Sequence, residues 1–212
     1  MITIKTFEFN HFAEKCYILS DETKEAVIID CGALFPQEYE AITDYVAENS
    51  LTLKHLLCTH LHVDHVFGNP FIYNTYGLKP EVHRLETEVL PSPAVQAQAF
   101  GIEMKMEEAP YGNFISDNDK ITFGNSELKA LHIPGHSPGS IVYYCEKEGF
   151  AMTGDTLFCN SIGRTDLWGG SHETLIRAIN DKLLTLPTNT IIYPGHGDKS
   201  KIGYERRYNS FL

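Results

Sequence analysis

The sequence predicts an α/β fold, a β-sandwich with helices on its outside, organised as a single domain over residues 1–212. Three observations carry that expectation. Apolar runs of strand length give way to a helix-length amphipathic stretch once in each half of the chain, the pattern of layered α/β architecture. The 212 residues, 42% hydrophobic and 21% charged, are enough for one well-packed core and leave little for a second. No linker or low-complexity segment divides the two halves.

The elements follow in order. Ile2 to Phe9 and Cys16 to Ser20 read as strands, and Asp21-Glu22-Thr23-Lys24 joins the second of them to Ala26-Val27-Ile28-Ile29 as a hairpin with a four-residue loop. Asp30, at the end of that apolar strand, has two open readings: a turn or cap residue, or a support for a metal-binding histidine. Proline suits the first turn of a helix, and Pro36 to Asn49 places Tyr39, Ile42, Val46 and Ala47 at helical spacing. Leu53 to Cys58 is the next strand, with a short helix expected around Val66 to Tyr76. Arg84 to Leu90 and Ala94 to Phe100 read as helices separated by Pro91-Ser92-Pro93. Phe100, Met104 and Met106 either cover the core or form an apolar lid over a substrate. A second run of strands spans Lys120 to Phe123, Glu127 to Ile133, Ser140 to Cys145 and Gly149 to Thr153, with glycine and proline at the turns. Ser171 caps an expected helix from His172 to Leu184, with Leu175, Ile176, Ile179, Leu183 and Leu184 on one face. Thr190 to Tyr193 is the last strand.

Composition narrows the function classes. A net charge of −11 argues against a phosphate-backbone partner, which needs clustered Lys and Arg. No run approaches the ~20 apolar residues of a membrane span, and the start, Met1-Ile2-Thr3-Ile4-Lys5, alternates like a strand and lacks the features of a signal peptide. The expected compartment is therefore the cytoplasm. Five scattered cysteines without a Cys-x-x-Cys pair fit reduced thiols. Of these only Cys159 lies near the proposed chemistry.

That chemistry is written in four places where an apolar strand ends in a ligand-bearing loop. Thr59-His60-Leu61-His62-Val63-Asp64-His65 follows the strand ending at Cys58. Imidazole and carboxylate are ligands that zinc and other first-row divalent metals favour. Side chains repeat every second residue in an extended segment, so His60 and His62 can chelate one ion. Asp64 and His65 diverge, and a turn after Val63 would aim them at a second ion. His136 lies in Pro134-Gly135-His136-Ser137-Pro138-Gly139, Asp155 in Thr153-Gly154-Asp155-Thr156, and His196 in Pro194-Gly195-His196-Gly197. Converging strand ends would unite five histidines and two aspartates. His11, His55, His83, His132 and His172 stand outside any motif; His132, four residues before His136, is either a support for it or an ordinary surface or core histidine.

These motifs resemble the metallo-β-lactamase superfamily, whose fold is an αββα four-layer sandwich. More closely, the chain is similar to the short hydroxyacylglutathione hydrolase (glyoxalase II)-like branch, through Gly154-Asp155-Thr156-Leu157-Phe158, Ser161-Ile162-Gly163-Arg164-Thr165-Asp166-Leu167 and Ile202-Gly203-Tyr204-Glu205-Arg206. The resemblance implies two divalent metal ions, zinc first with iron or a mixed pair as alternatives. His60, His62 and His136 would hold one ion and Asp64, His65 and His196 the other, with Asp155 bridging. It implies hydrolysis of a small thioester, such as an S-acyl-glutathione, by a metal-bridging hydroxide, with Asp64 as the catalytic group that holds the proton and Arg164 binding the thiol's carboxylate. The helical C-terminal domain of classical glyoxalase II has no counterpart in the sixteen residues after His196. Lys199, Lys201, Arg206 and Arg207 either add positive charge near the site or form a solvated face. A second resemblance, to persulfide dioxygenases, implies instead one iron at His60, His62 and Asp155.

Overall fold

The computed structural model describes residues 1–103 and 106–212. Two sheets face each other. The first has the order β1 (Thr3–Phe9), β2 (Glu14–Ser20), β3 (Glu25–Ile29), β4 (Thr52–Leu57), β5 (Pro80–Glu81), antiparallel over the first three strands and parallel beyond. The second has the order β13 (Ser200–Lys201), β12 (Ile191–Pro194), β9 (Phe150–Gly154), β8 (Ile141–Cys145), β7 (Ser126–His132), β6 (Lys120–Phe123), with β9 and β12 parallel. A small ribbon of β10 (Leu157–Phe158) and β11 (Ser161–Ile162) lies beside them.

The alternation of side chains sorts the apolar residues into three layers. Tyr17, Leu19, Val27 and Ile29 face Ile121, Phe123, Leu128, Ile141, Tyr143 and Met152 between the sheets. Their neighbours Cys16, Ile18, Ala26 and Ile28 face outward and pack on Ile42 and Val46 of α1 (Pro36–Glu48) and Ile72 of α3 (Asn69–Tyr76). On the other side Leu131, Val142 and Ala151 meet Leu175 of α6 (His172–Ala178) and the turn after it. Strands buried on both faces read as continuous apolar runs, and the result is the αββα metallo-β-lactamase fold. Ile28→Ala, at a fully buried site, is expected to cost about 3 kcal/mol, read as a lower urea midpoint at unchanged m.

Two helices differ from expectation. The helix placed at Val66 to Tyr76 is two pieces, α2 (Val63–Val66) and α3, separated where Gly68 donates its N–H to the Cys31 carbonyl and Pro70 restarts the helix. The helix from Ser171 begins as expected, with Ser171 Oγ accepting from the Thr174 N–H, but becomes a π-turn at Ile179–Leu183, where Leu184 N–H reaches back five residues to Ile179. Helices α4 (Arg84–Val89) and α5 (Pro93–Ala99) lie close to their expected bounds, and α7 (Ile202–Tyr208) follows β13. Of the lid residues, Met104 lies outside the described residues. Met106 packs near Val63, Phe67 and Ala97, whereas Phe100 stands half-exposed, its ring edge-on to Trp168. No helix among the described residues is long and apolar enough to cross a membrane.

Candidate metal centre

All seven expected ligands lie at one edge of the sandwich, and local sequence accounts for each position. Asp30 follows β3, and its backbone takes the left-handed conformation at φ 51°, one that Asp tolerates better than most residues. Its carboxylate accepts from the Thr59 N–H and hydroxyl, both at 2.6 Å, and from His65 Nδ1 at 3.1 Å. Both readings of Asp30, turn residue and histidine support, are thus realised together. Beyond β4, His60 and His62 flank Leu61. His62 is extended at φ −68°, ψ 145° and caps α2, so the chain turns into a helix there; this brings the His65 ring to 4.1 Å from the His60 ring and turns its Nε2 toward Asp64 and His196. His136 follows β7. Asp155 and His196 follow the parallel neighbours β9 and β12, joined by Gly195 N–H to the Gly154 carbonyl at 2.8 Å.

The side chains form two groups. His62 Nδ1 lies 2.8 Å from His136 Nε2, which lies 3.2 Å from His60 Nε2. In the second group His196 Nε2 is 3.3 Å from His65 Nε2 and 3.2 Å from Asp64 Oδ2. Asp155 lies between them, Oδ1 at 3.4 Å from His65 Nε2 and Oδ2 at 3.7 Å from His136 and 3.6 Å from His196. The outer nitrogens of four histidines have partners: His60 with Thr59 Oγ1, His65 with Asp30, His136 with the Arg164 carbonyl and His196 with the Phe12 carbonyl. A donated outer N–H leaves the inner nitrogen as a bare lone pair, the form that binds a metal.

These donors fit divalent ions. Three imidazole nitrogens turned on one another suit a cation among them, and the buried Asp155 Oδ1 has no hydrogen-bond donor among the described residues. Burial, reinforced by neighbouring histidines, holds His60 well below its ordinary pKa, and burial takes His62 down to about 3. Burial would also lower His65 and His196, but the Asp155 and Asp64 carboxylates outweigh it and raise both. The same pairing overrides burial at Asp155 and holds its carboxyl well below the usual range. The first group is therefore a set of neutral imidazoles, and the second is ion-paired, so a metal bound there displaces protons.

A cleft of about 190 Å³ opens over these groups, walled by Phe12, Val63, Phe100 and Leu167. Arg164 lines it, yet its guanidinium holds Asp166 through two bonds of 2.7 and 2.8 Å at the exposed rim. Its charge is already paired, and its carbonyl is what reaches His136. Arg206 donates to the carbonyls of Leu184 and Leu186, and Arg207 lies over the Tyr208 ring, so these two belong to the C-terminal face. His132 donates to or accepts from no ligand; its Nε2 meets the Pro138 carbonyl and its ring stacks on His83 at 4.2 Å.

Three residues that motif reading passed over surround the site. Glu14 is fully buried 3.9 Å from His65 Nδ1, both its oxygens lacking hydrogen-bond donors among the described residues. Glu86 and Gln96, on α4 and α5, bond the backbone between the ligands. Local sequence carried no signal for them: Glu14 opens a strand and Glu86 sits among other polar residues of α4.

Similarity to known proteins agrees with this geometry. Hydroxyacylglutathione hydrolase GloC of Haemophilus influenzae is 36% identical, over 100% of this chain and 98% of that one. The solved structure of BLEG-1, a B3 metallo-β-lactamase, superposes with a TM-score of 0.89 at 34% identity, covering 99% of both chains. That of TTHA1623 in a di-iron-bound form gives 0.86 at 29% identity, over 98% of this chain and 100% of the other. The family model of the metallo-β-lactamase superfamily matches residues 11–196, from the turn after β1 through the last of the seven clustered side chains, and the chain belongs to that superfamily.

Proposed function

We propose that this metallo-hydrolase is a dinuclear thioesterase of the glyoxalase II-like type, cleaving an S-acyl conjugate of glutathione or a related small thiol in the cytoplasm. The observation that carries the reading is the position of Asp155, whose two oxygens face His65 on one side and His136 on the other at 3.4 and 3.7 Å. One carboxylate is thereby shared by two three-residue groups.

Two divalent ions held there, zinc first among the candidates, supply a water acidified toward neutrality and a Lewis acid for the thioester carbonyl. The remaining work falls to the chain. His60, His62 and His136 form one ligand set and Asp64, His65 and His196 the other. Asp64, which lines the cleft, would hold the proton of the attacking water and aim its lone pair. Phe12, Val63, Phe100 and Leu167 cover the acyl group and exclude bulk water. Arg164 binds the thiol's carboxylate by exchanging it for Asp166. No serine or cysteine nucleophile is required.

The likeness to GloC, a hydroxyacylglutathione hydrolase, supports the reaction, and the di-iron form of TTHA1623 supports a two-ion count while keeping iron among the candidates. Metal analysis of purified protein, paired with S-lactoylglutathione hydrolysis, tests both. The expected result is about two ions per chain and release of free thiol. A single iron with oxygen uptake on glutathione persulfide would instead establish the dioxygenase reading.

A further inference from the structure

The four residues His60 to Val63 cross the site outside any strand, and their buried backbone groups need partners from elsewhere. Side chains of α4 and α5 provide them. Glu86 Oε2 accepts from the Leu61 N–H at 2.7 Å, while Gln96 donates to the Leu61 carbonyl at 2.9 Å and accepts from the Val63 N–H at 3.1 Å. Glu86 does more than Gln96. Its other oxygen, Oε1, accepts from the Gly139 N–H at 2.6 Å and the Ser137 hydroxyl at 2.7 Å, in the loop that carries His136. The side chain is 1% exposed, and its three donors satisfy a carboxylate that burial would otherwise make costly.

One carboxylate therefore fastens the His60–His62 segment to the His136 loop, and these two segments hold the three members of the first ligand group. The second group, Asp64, His65 and His196, receives no bond from Glu86; it is supported by Asp30 and by the Phe12 carbonyl. From this asymmetry we infer that Glu86 is a positioning residue for the first metal site alone, setting the distance between His136 and the His60–His62 pair. The inference rests on the two-metal reading proposed above.

Glu86→Gln separates this role from general support. The amide oxygen replaces Oε1 toward the two donors of the His136 loop, which leaves its NH₂ facing the Leu61 N–H, so the link between the segments breaks while volume is kept. The metal-loaded protein is titrated with a chelator, following zinc release and, after cobalt substitution, the visible spectrum of each site. The expected result is a first-site affinity lower by roughly 10–100-fold, the range for supports of metal ligands, with the second site unchanged. Gln96→Ala, which loosens the same segment without touching the His136 loop, is expected to lower the melting temperature with a smaller and unselective change in affinity.

Loss of both ions together in Glu86→Gln, unchanged affinity at both sites, or the same selective loss in Gln96→Ala would each overturn the positioning role. A wild-type protein that holds no ion at His60, His62 and His136 would overturn this inference and the two-metal reading together. A wild type holding both ions without hydrolysing thioesters would overturn the proposed reaction only, because the affinity measurement needs no substrate.

Discussion

Asp155→Ala is expected to lose both metal ions and to lower thioester hydrolysis by more than about 10³-fold, since the water activation supplied by a two-metal site disappears with it. The sandwich should persist. Asp155 lies on the loop after β9, outside the three apolar layers, and its contacts are with His65, His136 and His196 rather than with the core. Far-UV circular dichroism alongside metal analysis checks the two halves of this statement, and Asp155→Asn adds a variant of equal size lacking only the charge. Near-wild-type turnover in either variant would refute a shared carboxylate.

Gly195→Ala is expected to lower activity by about 10²-fold, the typical cost of misplacing catalytic groups by an ångström. A Cβ added there would lie 2.3 Å from Asp155 Oδ1 and 2.6 Å from His65 Cε1, so both side chains must move. The backbone has no freedom to yield, because the Gly195 N–H is bonded to Gly154 and its carbonyl accepts from the Lys15 N–H, each at 2.8 Å. Steady-state kinetics with metal content measured in the same samples checks this. Full activity with two bound ions would show that the edge is looser than its hydrogen bonds imply.

The architecture was legible because both faces of the central strands are buried. Val27 and Ile29 serve one layer while Ala26 and Ile28 serve another, so the apolar run itself announces a sheet covered on two sides. The seven clustered side chains were legible because each follows such a strand, and strand ends at one edge of a two-sheet sandwich meet. Elements of two residues, such as β5 and β10, are too short to show a period. The π-turn after α6 was equally hidden, since a single five-residue hydrogen bond barely shifts a hydrophobic face. Arg164 was placed at the cleft by its motif, but Asp166, two positions on, takes up its guanidinium, a pairing that spacing alone does not announce.

Glu86 and Gln96 were illegible for a different reason. Their partners are backbone N–H and C=O groups of Leu61, Val63 and Gly139, and a backbone group leaves no mark on the sequence. Glu14 adds a case in which the environment is the whole story: burial pushes its carboxyl well above the usual range beside His65. Nothing within the strand that carries it distinguishes it from a surface glutamate.

The division of the seven clustered side chains between the two sheets has a mechanical consequence. His60, His62, Asp64 and His65 follow β4 of one sheet, whereas His136, Asp155 and His196 follow β7, β9 and β12 of the other. A cation bound among them, as proposed, would be a rivet through a seam that is otherwise closed by side-chain packing and a few bonds such as Lys15 N–H to Gly195. Parting the sheets would then mean releasing the ion, and the lifetime of the folded chain is expected to rise with the free metal concentration around it.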